Sequence, residues 1–327
     1  MSRSAYSRRR LLALLGAGIG WAGAALASPD PPTGSRIPLD PTSPDAVYEP
    51  PASLAAALDL YSRMTAPVLV NGAGPFPFVV DTGANQTVIS TELADLLRLP
   101  LGPPQPLHGA VGVRMADTAQ VDSLSIGARM HRSVMVSILP QAAVGGPGLL
   151  GVDRLGDQRL TLDFKGRRIR IEDSRGARRS GLDLVAPAAR RAGQLTLVKA
   201  RLGRAPMTVF LDSGAETTIG NMALRNLAAT GFPKTQWSRT TIISATGQQM
   251  DGDWAVLPEL KLGGLDVRNL LTIFADLHTF AIWNMLEEPA LLLGVDVLSQ
   301  FEFVSLDFAR SEVRFRPPQG PDRVRLL

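Results

Sequence analysis

Two short stretches of this chain carry residue types suited to chemistry on water. Phe78-Val79-Val80-Asp81-Thr82-Gly83-Ala84 runs an apolar strand into a carboxylate, a hydroxyl, a glycine and a small residue. Val209-Phe210-Leu211-Asp212-Ser213-Gly214-Ala215 repeats the pattern 131 residues later. One Asp-Thr-Gly arises often by chance. A matched pair is a stronger signal, because two carboxylates held together cannot both ionise easily and so share a proton. One can then take a proton from water while the other gives one to a substrate. Asp81 and Asp212 are therefore the candidate catalytic residues. Gly83 and Gly214 permit the tight turn that places amide N–H groups near them.

Each carboxylate needs an element to deliver it. Residues 66–70 read as a strand, Asn71-Gly72-Ala73-Gly74 as a turn, and residues 76–80 as the returning strand. Residues 195–202, the turn Gly203-Arg204 and residues 207–211 do the same for Asp212. Downstream landmarks then recur in unchanged order. Ala110-Val111-Gly112 is echoed by Ala245-Thr246-Gly247, and Leu124-Ser125-Ile126-Gly127 by Leu260-Lys261-Leu262-Gly263. Leu149-Leu150-Gly151-Val152-Asp153 is echoed by Leu292-Leu293-Gly294-Val295-Asp296, and Leu162-Asp163-Phe164 by Leu306-Asp307-Phe308. From each Asp, successive landmark glycines follow at intervals of 31 and 35, then 15 and 16, then 24 and 31 residues. Such spacing predicts a duplicated chain with lobes at residues 54–171 and 194–318 that contribute the two halves of one site, and the turn-rich composition favours β structure. Asp153 and Asp296 follow a glycine where a short helix should begin, and read as acids suited to capping or the helix dipole. The surplus of the second lobe lies mostly in residues 274–290, which are rich in large apolar side chains. That stretch reads as a short packed helix or strand extension; the alternative is a lid or wall of the cleft.

Composition narrows the classes. The chain has 327 residues, 31 Gly and 25 Pro, enough for two medium domains with many turns. It has no Cys, and its only histidines are His108, His131 and His278. A zinc site built from His and Cys is improbable, and a cysteine nucleophile or a disulfide is excluded. The formal charge of +4 comes from Arg3, Arg8, Arg9 and Arg10. Without the first 27 residues the chain is formally neutral, so the charge argues for no nucleic acid partner. Ser7-Arg8-Arg9-Arg10 precedes an apolar run over residues 11–27 that ends Ala25-Leu26-Ala27. This predicts a signal peptide of twin-arginine type over residues 1–27, cut near Ala27, with a periplasmic or secreted product. General secretion and a short uncleaved anchor are the alternatives. Residues 28–53 hold eight prolines and read as an extended spacer. Residues 172–193 read as a linker whose arginines are a solvated surface, with an anionic-partner site as the alternative. Residues 319–327 read as a tail.

The paired loops and the two Leu-Leu-Gly segments resemble the aspartic peptidase clan, in particular a retropepsin-like fold duplicated in one chain, over about residues 64–316. The resemblance implies an all-β fold of two acid-protease lobes related by a pseudo-twofold axis, with the active site between them, and an aspartic endopeptidase that binds polypeptide in extended form. It implies a monomer, with no metal and no cofactor. It implies that Thr82 and Ser213 bond across to the opposite loop and, with Gly83 and Gly214, brace the dyad. It implies that each Leu-Leu-Gly packs behind its loop. Gly-rich flaps should cover the substrate, and Gly109, Gly112 and Gly247 stand at the matching places, although an ordinary turn would look the same. No tyrosine matches the pepsin flap, since Tyr6, Tyr48 and Tyr61 all precede the first loop. Ala84 and Ala215 replace the Ser or Thr of pepsin-like enzymes, which predicts a less acidic optimum than pepsin's.

Three other classes compete. An inactive duplicate could bind extended peptides by strand pairing. A structural envelope protein would leave the paired carboxylates unexplained. A metallohydrolase would need carboxylates to supply most of its ligands.

Overall fold

The computed structural model describes residues 12–15, 52–55, 57–58, 63–127, 129–174, 183–191, 194–244, 248–262 and 265–318. Of the expected signal, only the backbone of Leu12–Leu15 is described, as a strand parallel to residues 241–244. The rest of that segment, most of the Pro-rich spacer and the tail lie outside the described residues.

The chain is built mostly of strands, as an all-β acid-protease fold requires. Strand β1 (Met64–Val70) turns through Asn71 and Gly72 into β2 (Ala73–Val80). Both turn residues have positive φ, 50° and 76°, the geometry that Asn-Gly supplies at low cost. Next come β3 (Val88–Ser90), α1 (Thr91–Leu96), β4 (Leu101–His108), β5 (Val113–Ile126) and β6 (Arg129–Leu139). They are followed by α2 (Gln141–Val144) and β7 (Gly148–Leu150). The sheet order is β1-β2-β7-β3-β6-β5, and β5 pairs back onto β1, so six strands close on themselves.

Residues 158–173 form a hairpin, β8 (Gln158–Asp163) and β9 (Arg168–Asp173). After it come β10 (Leu184–Arg191), β11 (Gln194–Leu202), β12 (Ala205–Leu211) and β13 (Ile219–Gly220). The chain continues through α3 (Met222–Gly231), β14 (Ser238–Ser244), β15 (Gln249–Leu262) and β16 (Leu265–Phe274). It ends with α4 (His278–Ile282), β17 (Ala290–Leu293), α5 (Val295–Leu298), β18 (Phe303–Asp307) and β19 (Glu312–Arg316). Here β11-β12-β17-β13-β16-β15 repeats the earlier order, and β15 pairs back onto β11. The strand directions match as well. β2 runs parallel to β7, and β12 parallel to β17.

Phe78-Val79-Val80 and Val209-Phe210-Leu211 have a paired strand on each edge and side chains buried on both faces. A strand covered on both faces reads as an unbroken apolar run, not as alternation. The two strands that lead into the Leu-Asp-Phe landmarks pair with each other. β8 pairs antiparallel with β18, with Leu160 opposite Leu306, and Thr161 Oγ1 lies 2.9 Å from Ser305 Oγ.

One expectation needs correction. Much of the segment read as a linker is strand: β10 pairs with β19 on one side and with β11 on the other. Its Ala, Arg and Pro content hides this, because partner backbones on both edges supply what side-chain alternation does not. Among the described residues, no helix is long and apolar enough to cross a membrane.

Phe78 is fully buried and its ring fills the space where a Cβ on Gly148 would sit. Phe78→Ala is expected to lower stability by about 3–5 kcal/mol, read as a shift in the urea unfolding midpoint at unchanged slope.

Candidate active site

The loops after β2 and β12 meet face to face. A Cβ added to Gly83 would overlap the Asp212 carboxyl, and one on Gly214 would overlap the Asp81 carboxyl. Each glycine is thus required by close approach of the opposite acid.

Threonine and serine exchange bonds across the junction. Thr82 Oγ1 donates to the Leu211 carbonyl at 2.8 Å and accepts from Ser213 N–H at 3.0 Å. Ser213 Oγ donates to the Val80 carbonyl at 2.8 Å and accepts from Thr82 N–H at 3.1 Å. Both side chains are 1 % exposed. Through these four reciprocal bonds each buried hydroxyl both donates and accepts across the junction.

Each carboxylate is held by its own loop. Asp81 Oδ1 accepts from Gly83 N–H at 2.8 Å and Ala84 N–H at 3.0 Å. Asp212 Oδ1 accepts from Gly214 N–H at 2.9 Å and Ala215 N–H at 3.1 Å. The two carboxyls lie close enough to shift each other's proton affinity.

Behind each loop stands its Leu-Leu-Gly strand. Asp81 N–H donates to the Leu150 carbonyl, and Asp212 N–H to the Leu293 carbonyl, both at 3.0 Å. A Cβ on Gly151 or Gly294 would strike the loop backbone at 2.7–2.9 Å, so glycine is needed at both positions.

Two residues that the sequence reading passed over complete the support. Thr87 Oγ1 donates to Asp153 at 2.8 Å and accepts from Gly151 N–H at 3.2 Å. Thr218 Oγ1 donates to Asp296 at 2.8 Å and accepts from Gly294 N–H at 3.1 Å. Asp153 and Asp296 stand in the first turn of short helices, as expected, and in addition anchor the threonines. The signal was present: each threonine stands six residues after its Asp.

The dyad opens into a cavity of about 370 Å³. The β4–β5 hairpin reaches over it, its tip closed by Gly109 N–H donating to the Gly112 carbonyl at 2.8 Å. Gly109 and Ala110 line the cavity, and Gly112 lies against the Gln248 side chain. Gly247, the matching position in the second half, lies outside the described residues. Helix α4, in the surplus segment, serves both expected ends. Phe280, Trp283 and Met285 are packed, and Trp283 stacks on Phe210 at 4.1 Å between ring centroids. Thr279, Ile282 and Trp283 also form a wall of the cavity. Ala84 and Ala215 sit beside the acids, leaving room and offering no hydroxyl.

The electrostatics are lopsided. Burial pushes the Asp212 carboxyl well above the usual aspartate range, and the neighbouring Asp81 charge adds to the effect. Burial raises Asp81 too, but Gly83 N–H, the bond from Asp212 and the buried Arg63 charge oppose it. Both carboxyls are thus held above the usual aspartate range, and they titrate as a pair that favours sharing one proton. Among the described residues, no group of three or more His, Cys, Asp or Glu is arranged to hold a metal ion.

Residues 66–157 match the family described as gag-polyprotein putative aspartyl protease. No curated protein matches the chain.

Two outcomes are expected. Thr82→Val keeps the shape of the side chain but strands the Ser213 N–H and frees the Leu211 carbonyl. It should cost about 1–3 kcal/mol in chemical denaturation. Combined with Ser213→Ala, the losses should fall short of their sum, because the two side chains form one network. A carboxyl whose folded value is raised contributes stability that is full below the ordinary aspartate range and is lost as pH rises toward the folded value. Asp212→Asn, which can still donate to Asp81, should therefore melt above the wild type at neutral pH. The gap should close as pH falls through the aspartate range.

Proposed function

With residues 66–157 forming a retropepsin-like aspartyl protease domain, we propose that the whole chain is an aspartic endopeptidase with a two-Asp dyad supplied in cis. The observation that carries this reading is the reciprocal Thr82–Ser213 exchange, which holds Asp81 and Asp212 against each other within one polypeptide. Retropepsins obtain the second carboxylate by dimerising; here a monomer suffices.

Asp81 takes a proton from a water placed between the acids. The water oxygen attacks the substrate carbonyl carbon while protonated Asp212 gives its proton to the carbonyl oxygen. A tetrahedral diol results. The proton gained by Asp81 then passes to the amide nitrogen as the C–N bond breaks, and one diol hydroxyl returns its proton to Asp212 as the carbonyl re-forms. The raised Asp212 keeps this proton available to less acidic pH than an exposed carboxyl would. No cofactor or metal takes part in the scheme. The substrate is a polypeptide in extended form, with apolar side chains facing the Leu149 and Leu292 sides of the cavity. We place the mature protein in the periplasm or outside the cell, acting on exported or envelope proteins, on the strength of residues 1–27.

The test is cleavage of unfolded protein and a peptide library across a wide pH range. Wild type should cut, and Asp81→Asn and Asp212→Asn should each lose at least about 10³-fold in rate. Full activity in either variant overturns the dyad. Peptide binding with no cleavage by wild type would instead establish an inactive binding module. The pH–rate profile should peak well above about pH 3, the midpoint of pepsin's two values; a peak there counts against the role given to Ala84 and Ala215.

A further inference from the structure

Two of the three histidines meet at the cavity, from elements 170 residues apart. His108 ends β4 at the base of the overlying hairpin and lines the cavity, and His278 opens α4. His108 Nδ1 lies 3.1 Å from His278 Nε2. The ring planes differ by 6° and the centroids are 5.3 Å apart. That separation exceeds the nitrogen–nitrogen distance by only about two ring radii, so the rings lie nose to nose in one plane. A shared metal would need the two lone pairs to converge at an angle on a third point. Here they oppose each other, as a single N–H···N bond requires.

We propose that His108 and His278 form an acid-released strap that ties the hairpin to the α4 wall and controls entry to the cleft. The bond needs one donor and one acceptor. Two neutral rings in complementary tautomers satisfy it, and so does one imidazolium facing one neutral ring. When both rings are protonated, both facing nitrogens carry hydrogen and no acceptor remains. Like charges then oppose each other, and the strap opens. Its closing role deepens the protease reading and rests on it; the bond itself does not.

Other ionisable groups surround the pair. Asp81 and Asp212 line the same cavity. Arg114 on β5 pairs with Leu107, next to His108. Asp276, which accepts the Met222 N–H, precedes α4, and Glu287 and Glu288 follow it. A variant that keeps all of these but removes one titrating ring separates their effect from that of the strap. His278→Gln does so. Its amide oxygen can accept from His108 Nδ1–H whether or not His108 is charged, so the strap should hold in acid as well.

The experiment is hydrogen–deuterium exchange at the hairpin tip, residues 107–113, corrected for intrinsic exchange. Between about pH 7.5 and about pH 5, wild type should lose protection there. The loss should be about fivefold, the equilibrium equivalent of one ordinary hydrogen bond. His278→Ala, and His108→Ala as a second variant, should show the low protection at both pH values. His278→Gln should show the high protection at both. Wild-type protection that does not change with pH, or a Gln variant that opens in acid as wild type does, overturns the proposal. Exchange needs no turnover, so a strap that behaves as expected in a protein that cleaves nothing would sink the protease reading alone.

Discussion

The arrangement depends on the reciprocal grip of Thr82 and Ser213. Two carboxylates repel once both are ionised, and the grip holds them together without using either of them. Each hydroxyl donates to a carbonyl at the end of the opposite strand and accepts from the opposite amide. Burial makes these bonds obligatory, because a stranded partner would cost about 1–3 kcal/mol. The glycine that follows each hydroxyl leaves room for the opposing carboxyl. The threonines at 87 and 218 then lock each loop to its Leu-Leu-Gly strand. Rigidity therefore runs outward from the junction in layers, from hydroxyl exchange to loop to strand.

Around this near-symmetric centre, the surroundings are unequal. Both acids are buried and held by two backbone N–H groups, but the Arg63 charge acts on Asp81, whereas Asp212 is raised further by the Asp81 charge. Helix α4 and Trp283 wall the cavity near Ala215 and Leu292. Gln194 reaches into the first loop, donating to Asn85 at 2.6 Å and to the Gly83 carbonyl at 3.3 Å. Two carboxyls of one type thus stand in unlike settings, the condition under which paired acids can differ in proton affinity.

Much of this was legible in the sequence because it is local. The hairpins before Asp81 and Asp212 announce themselves through unbroken apolar runs and turn residues, and the landmarks through equal order and spacing. What escaped depends on who sits opposite. Leu184–Arg191 lacks strand alternation, and pairing from both edges makes it a strand. Thr87 and Thr218 look like ordinary loop hydroxyls until Asp153 and Asp296 are placed beside them. The surplus segment offered packing and a cleft wall as rival readings, and α4 is amphipathic enough to provide both. The tip of the second flap, with Gly247, falls outside the described residues.

The pairing of β8 with β18 has a consequence for how the molecule comes into being. Leu160 and Leu306 are neighbours in space but are separated by nearly half the chain. Contacts of such long sequence separation form late, after the cost of closing the intervening loop has been met. During synthesis the first half emerges with a single carboxylate, no partner for Thr82 and an unpaired edge on β8. On this topology the two carboxyls stand opposite each other only after both halves of the chain have been made.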